Sequence, residues 1–184
     1  MIHAVALILL AASPGAAPRR CNTHLATQLE DRVREYDRRP PGAKDFNDRF
    51  VELQLLISSA DQEIGILQSV CSEPDAVPIV AQLNGVQAWA LLLESDLNRQ
   101  NYAKRCPDAE VAVSRAFVGN AWVILSKSDP QATGRFPTVK TVVPKAQARA
   151  AALGMTLPAP ADATAFWLGQ LQHTASEAQN HCPQ

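Results

Sequence analysis

One apolar stripe constrains this chain more than any other feature in it. Phe46, Phe50, Leu53, Ile57, Ala60, Ile64, Leu67 and Cys71 recur at alternating steps of four and three residues, over more than three heptads. Side chains at that spacing share one face of an α-helix and form the seam of a helical bundle. Asp45 stands ahead of the stripe as a candidate N-cap.

The rest of the chain repeats the theme. A first helix is expected over residues 22–38, with Leu25, Leu29, Val33 and Tyr36 on one side and Pro40-Pro41-Gly42 as its stop. Its charged residues, Glu30 and Asp37 among them, mix both signs and read as a solvated face. A third helix begins near Pro74 or after Pro78 and carries Ile79, Leu83, Val86, Ala90, Leu93 and Leu97. Around Trp89 it is apolar on every side, which predicts a central position. A fourth spans about 107–126, a short alanine-rich helix covers 145–153, and a last one runs over 162–181. Residues 128–144 contain Pro130, Gly134, Pro137 and Pro144 without helical periodicity, so an irregular loop is expected there. The fold expected is all-α: an up-and-down bundle of four long helices with one or two short ones.

A weak internal repeat joins the third and fourth helices. At an offset of 33, nine of 23 positions are identical, including Pro74-Asp75-Ala76 with Pro107-Asp108-Ala109 and Ala88-Trp89 with Ala121-Trp122. Proline and aspartate at a helix start are favoured by capping alone. The shared tryptophan register is not, and it suggests a duplicated helix. The spacing matches no tetratricopeptide or ankyrin signature.

Residues 4–12 form a compact apolar run, followed by Ser13-Pro14 and the small residues Gly15-Ala16-Ala17. That order reads as a secretory signal, residues 1–17, removed from a mature single domain of residues 18–184. The run is too short to span a bilayer, which takes about 20 apolar residues. No later segment is expected to cross one. The product is expected to be secreted or periplasmic and not embedded in a membrane. With 17 basic and 18 acidic residues the net charge is -1, which offers nucleic acid no electrostatic attraction.

The four cysteines, Cys21, Cys71, Cys106 and Cys182, are too widely spaced for a cysteine metal site, and an even count in an exported chain favours two disulfides. Tracing the bundle predicts their pairing. Helix one starts at the bottom and helix two returns there, placing Cys71 near Cys21. Helix three then climbs up to about 45 Å over some 30 residues, carrying Cys106 to the top. A disulfide needs its Cα atoms within about 7 Å. Cys106 is therefore left to pair with Cys182, which requires the last helix to end at the top.

Chemistry is harder to find. The chain has no nucleophile elbow, zincin, phosphate-loop, dinucleotide or haem-attachment motif, and it implies no cofactor. His173, Glu177 and His181 share one face of the last helix and form a weak metal candidate, but they span about 12 Å; a solvated face is the simpler reading. Gly65, Gly85, Gly119 and Gly169 fall within helices and suggest close crossings. Arg115 and Asn120 place polar groups on an otherwise apolar helix, a possible pocket against the plainer reading of an arginine snorkelling to the surface. Trp89, Trp122 and Trp167 read as core. Arg135, Phe136 and Lys140 in the long loop are the partner-binding candidates. Three classes of function follow. Foremost is an exported non-enzymatic module that binds an unknown protein or small ligand. The alternatives are a small-ligand or metal carrier using the bundle interior, and a small enzyme built on scattered carboxylates such as Glu63, Glu94 and Asp96.

Overall fold

The computed structural model describes residues 21–39, 46–102, 106–128, 136–180 and 182. The expected signal segment, Arg135, His181 and residues 129–135 of the expected loop lie outside the described residues. All described secondary structure is helical: α1 (His24–Arg38), α2 (Phe46–Val70), α3 (Glu73–Tyr102), α4 (Pro107–Ser126) and α5 (Pro137–Ala152). A 3₁₀ turn (Pro160–Asp162), α6 (Ala163–Phe166), a π-helical turn (Trp167–Leu171) and α7 (Gln172–Asn180) complete the chain.

α3 is the axis of the bundle and packs against α1, α2, α4 and α5. Between residues 81 and 98 only Gln82 and Asp96 rise above burial, and its core contribution includes Leu83, Val86, Trp89 and Leu92. α3 is also long and apolar enough to cross a membrane, with a mean hydropathy of 1.5, contrary to the expectation from sequence. Its apolar window is 78% buried by its neighbours, so the helix spends that surface on the core. The α2 seam holds as expected: Leu53, Ala60 and Leu67 are buried, and Phe46, Phe50, Ile57, Ile64 and Cys71 pack partly against the core. On α1 the inward residues are Ala26, Leu29, Val33 and Tyr36, while Leu25 turns outward.

The expected loop is shorter than the sequence suggests. α5 begins at Pro137 and continues through Pro144 to Ala152. Pro137 sits in the first turn, where its missing N–H would have no intrahelical partner. Pro144 interrupts the ladder on an exposed face shared with Lys140, whose carbonyl is left beside water. Pro78 sits likewise on the outer side of α3. Prolines that read as breakers in sequence are tolerated here because the broken bonds face solvent.

The helices alternate in direction, and α1, α3 and α5 run parallel. Gly85 brings α5 close to α3: a Cβ there would lie 2.9 Å from Thr138 Cγ2. Gly119 does the same for α4 and the π turn, where a Cβ would overlap Leu171 Cδ1. Gly65 and Gly169 have open space instead and do not mark crossings. α5 ends in a Schellman arrangement: Met155 N–H reaches Ala150 O and Gly154 N–H reaches Ala151 O, with Gly154 at φ 62°. Trp89 and Trp122 are both buried, but their indole N–H groups find different partners, Asp37 and the Pro158 carbonyl.

Cys21 and Cys71 are joined, with Cα atoms 5.8 Å apart, so the lower pairing is the one expected. α7 ascends antiparallel to α4 and brings Cys182 near Cys106 at the top. No disulfide joins those two in this structure, so one of the two expected braces is formed.

Candidate functional site

One cavity lies at the disulfide end, where α2 finishes, α3 begins, α4 finishes and α5 begins. It holds about 500 Å³, within the range of small-ligand sites. Ala76, Val77, Val80, Ala81 and Phe136 give it an apolar lining, and Gln68, Glu73 and Lys127 supply polar and charged groups. Asn84 and Ser128 close its inner end through a buried hydrogen bond, Asn84 Nδ2 donating to Ser128 Oγ at 2.9 Å. Val77 is 48% exposed beside this groove. The arrangement can take an apolar group while amides and opposite charges meet the polar part of the same ligand.

Above the groove, two polar layers bind α5 across α1 and α3. In the lower layer Gln82 Nε2 and Thr138 Oγ1 both donate to Glu30 Oε2, and Arg34 pairs with the other oxygen. Burial pushes the Glu30 carboxyl upward, but these hydrogen bonds and the Arg34 charge outweigh it and hold it below the ordinary carboxylate range. In the upper layer Trp89 Nε1 and Lys145 Nζ donate to Asp37 Oδ2 at 3.2 and 2.8 Å. Each layer's members stand seven residues from their counterparts in all three helices: 30 and 37, 82 and 89, 138 and 145. Glu30 and Asp37 therefore do not belong to a merely solvated face. They fasten parallel helices in register, and a further pair, Asp96 with Arg149, extends the belt.

The carboxylates offered for catalysis do not converge. Asp96 is held by Arg149 from α5. Glu94, two residues earlier on the same helix, faces α2 instead, where Gln54 Nε2 donates to Oε1 at 2.5 Å. Its side chain is fully buried, and burial pushes its carboxyl up to about 7 despite the hydrogen bond. Such a carboxyl would suit proton transfer if substrate could reach it. It lines none of the described cavities. Glu63 lies nine residues beyond Gln54, about 13 Å along α2.

The remaining candidates separate cleanly. Phe136 lines the groove, whereas Lys140 stands exposed one turn along α5 and Arg135 lies outside the described residues. Arg115 caps α5: its Nε and Nη2 donate to Leu153 O at 3.0 and 2.7 Å. It is a structural residue and leaves no charge in a pocket. Asn120 does line a crease of about 330 Å³ between α4 and α7, together with Phe117, Trp167 and Gln172. His173 and Glu177 form an exposed pair at 3.2 Å, His181 lies outside the described residues, and no group of three or more metal-ligating side chains occurs among the described residues.

Sequence reasoning missed the groove because its lining comes from four helix ends. The available signal was Val77, an apolar residue outside the α3 stripe that no core position required. Comparison with family models, with curated proteins and with solved structures finds no match for this chain.

Proposed function

We propose that the chain is an exported, non-enzymatic binding module whose recognition surface is the groove at the Cys21–Cys71 end. The groove carries this reading: it joins an apolar lining to a polar rim, and the only carboxyl among the described residues with a strongly raised pKa is sealed away from it. The disulfide suggests an oxidising compartment, which agrees with a secreted or periplasmic protein whose first residues are a removed signal. The apolar run at residues 4–12 supports that finer assignment. The ligand fitted by the lining is amphipathic: a small molecule, or one apolar side chain of a partner protein with polar groups beside it.

A carrier function, if present, belongs in this groove and not in the bundle interior, where Leu83, Val86, Leu92 and Leu125 fill the space. The test is capture from the protein's own envelope fraction by the mature chain and by Val80→Trp, which fills the groove. Bound species are then identified by native and denaturing mass spectrometry. A species retained by the wild type and lost from a folded Val80→Trp protein supports the assignment. Equal capture by both proteins removes the groove from the function.

A further inference from the structure

Glu94 has no part in the groove, and its surroundings are unusual for a carboxyl. It follows Leu91-Leu92-Leu93 and is 0% exposed. Its Oε1 accepts one hydrogen bond, from Gln54, and Oε2 is a buried oxygen with no partner. Gln54 itself lies on the exposed side of α2, so a single flexible amide from the neighbouring helix covers this carboxyl. No charge among the described residues compensates it. Asp37 of α1 is engaged by Trp89 and Lys145; Glu52 of α2 is engaged by Arg39; Arg115 of α4 is bound to Leu153 O; and Arg149 of α5 is paired with Asp96. Among the described residues only burial and the Gln54 amide act on it.

We propose that Glu94 is a proton-dependent fastener between α2 and α3: the uncharged carboxyl lets residues 46–60 of α2 close over it, and the ionised carboxyl opens that half of the helix. The remainder of α2 is held at its far end by the Cys21–Cys71 bond. The physical reason is the unpartnered oxygen. A neutral buried carboxyl lacking one hydrogen bond costs far less than a buried carboxylate with neither a cation nor a full set of donors. Opening returns the group to water, where ionisation is free of that cost.

The direction follows from linkage. The closed state holds its proton to about pH 7, against 4.5 for a solvated glutamate. The closed state is therefore favoured fully below about pH 4.5, loses ground as pH rises towards 7, and changes little above it. Each pH unit in that window changes the closing equilibrium up to tenfold, so the whole span amounts to a loss on the order of a hundredfold.

Hydrogen exchange of the oxidised full-length mature chain between pH 4.5 and 8, corrected for intrinsic exchange rates, tests this directly. The expected result is an opening equilibrium in residues 46–60 that rises on the order of a hundredfold over the window. Residues 61–70 should rise much less. Glu94→Gln, which cannot ionise, should flatten the rise, and Glu94→Met provides a second non-ionising variant. Uniform opening along α2, or a pH dependence in wild type shared by either folded variant, overturns the proposal. The regional pattern in the wild type decides the matter even if both variants fail to fold.

Discussion

The two ends of this bundle use the same kind of residue to different effect. At the lower end Cys21, ahead of α1, is bonded to Cys71 at the end of α2. At the upper end Cys106, ahead of α4, and Cys182, past α7, are near each other without a disulfide. Each pair ties a polar, peripheral helix to an apolar one. α1 buries four residues and meets α2 only sparsely, while among its described side chains α7 buries Ala175 alone. Small apolar faces of this kind supply little docking energy, since each buried large side chain contributes about 1.5–3 kcal/mol. Covalent links are most useful where packing is thinnest, and both cysteine pairs stand at such places.

The largest expected effect breaks the lower link. Replacing Cys21 and Cys71 together by alanine releases a 50-residue separation, for which loop-closure entropy gives about 4 kcal/mol. A denaturant midpoint measured against wild type reads it. A loss under about 1 kcal/mol would mean that α1 docks through its polar layers and apolar face without covalent help.

The upper pair gives a smaller effect and the sharper comparison. Treating the folded protein with an excess of oxidised glutathione should join Cys106 to Cys182, each thiol losing its proton while glutathione disulfide is reduced to two thiols. Non-reducing peptide mapping reads the product. The stability gained should be less than that lost on removing Cys21–Cys71, because α7 packs chiefly on α4 and can open without unfolding α2 and α3. A Cys71–Cys106 peptide in the map would contradict the up-and-down order of α2, α3 and α4.

Glu30→Gln comes next, and it probes the polar layer above the groove. Thr138, Gln82 and Arg34 all engage this carboxylate, and hydrogen bonds to a charged group contribute about 1.5–3 kcal/mol before compensation by the replacement amide. A net loss of about 1 kcal/mol is expected at pH 7. Because the folded-state pKa is lowered, this contribution is present above the ordinary glutamate value and disappears as pH falls below it. Denaturation curves of wild type and variant should therefore converge in acid. A constant difference down to pH 3 would show that the stabilisation does not depend on the charge.

Much of this architecture was legible because it is periodic. The α2 stripe, the all-round apolarity of α3 and the position of each cysteine on its helix were enough to place the lower disulfide and the upward course of α7. What escaped was information that no single segment carries. Glu30 with Gln82 and Thr138, and Asp37 with Trp89 and Lys145, make sense only when three helices are laid side by side in register. Pro137 and Pro144 read as loop formers because sequence does not say which side of a helix meets water. Glu94 gives no local sign of its burial, since a glutamate after three leucines equally well begins a solvated face. The groove is less legible still, for it exists only where four helix ends meet.

The smallest effect is expected at the exposed pair of α7. His173 and Glu177 are 73% and 60% exposed, on the helix with the thinnest docking surface in the comparison. Exposed ion pairs of this kind contribute at most about 1 kcal/mol and often nothing measurable. His173→Ala should thus shift stability by less than about 0.5 kcal/mol. It should also leave the melting temperature in excess zinc equal to that of wild type in excess zinc, apart from this small offset. Zinc stabilisation of the wild type that His173→Ala abolishes would restore the metal reading of the His173–Glu177–His181 face. It would also give the upper end a second means of holding α7, one that does not use its cysteines.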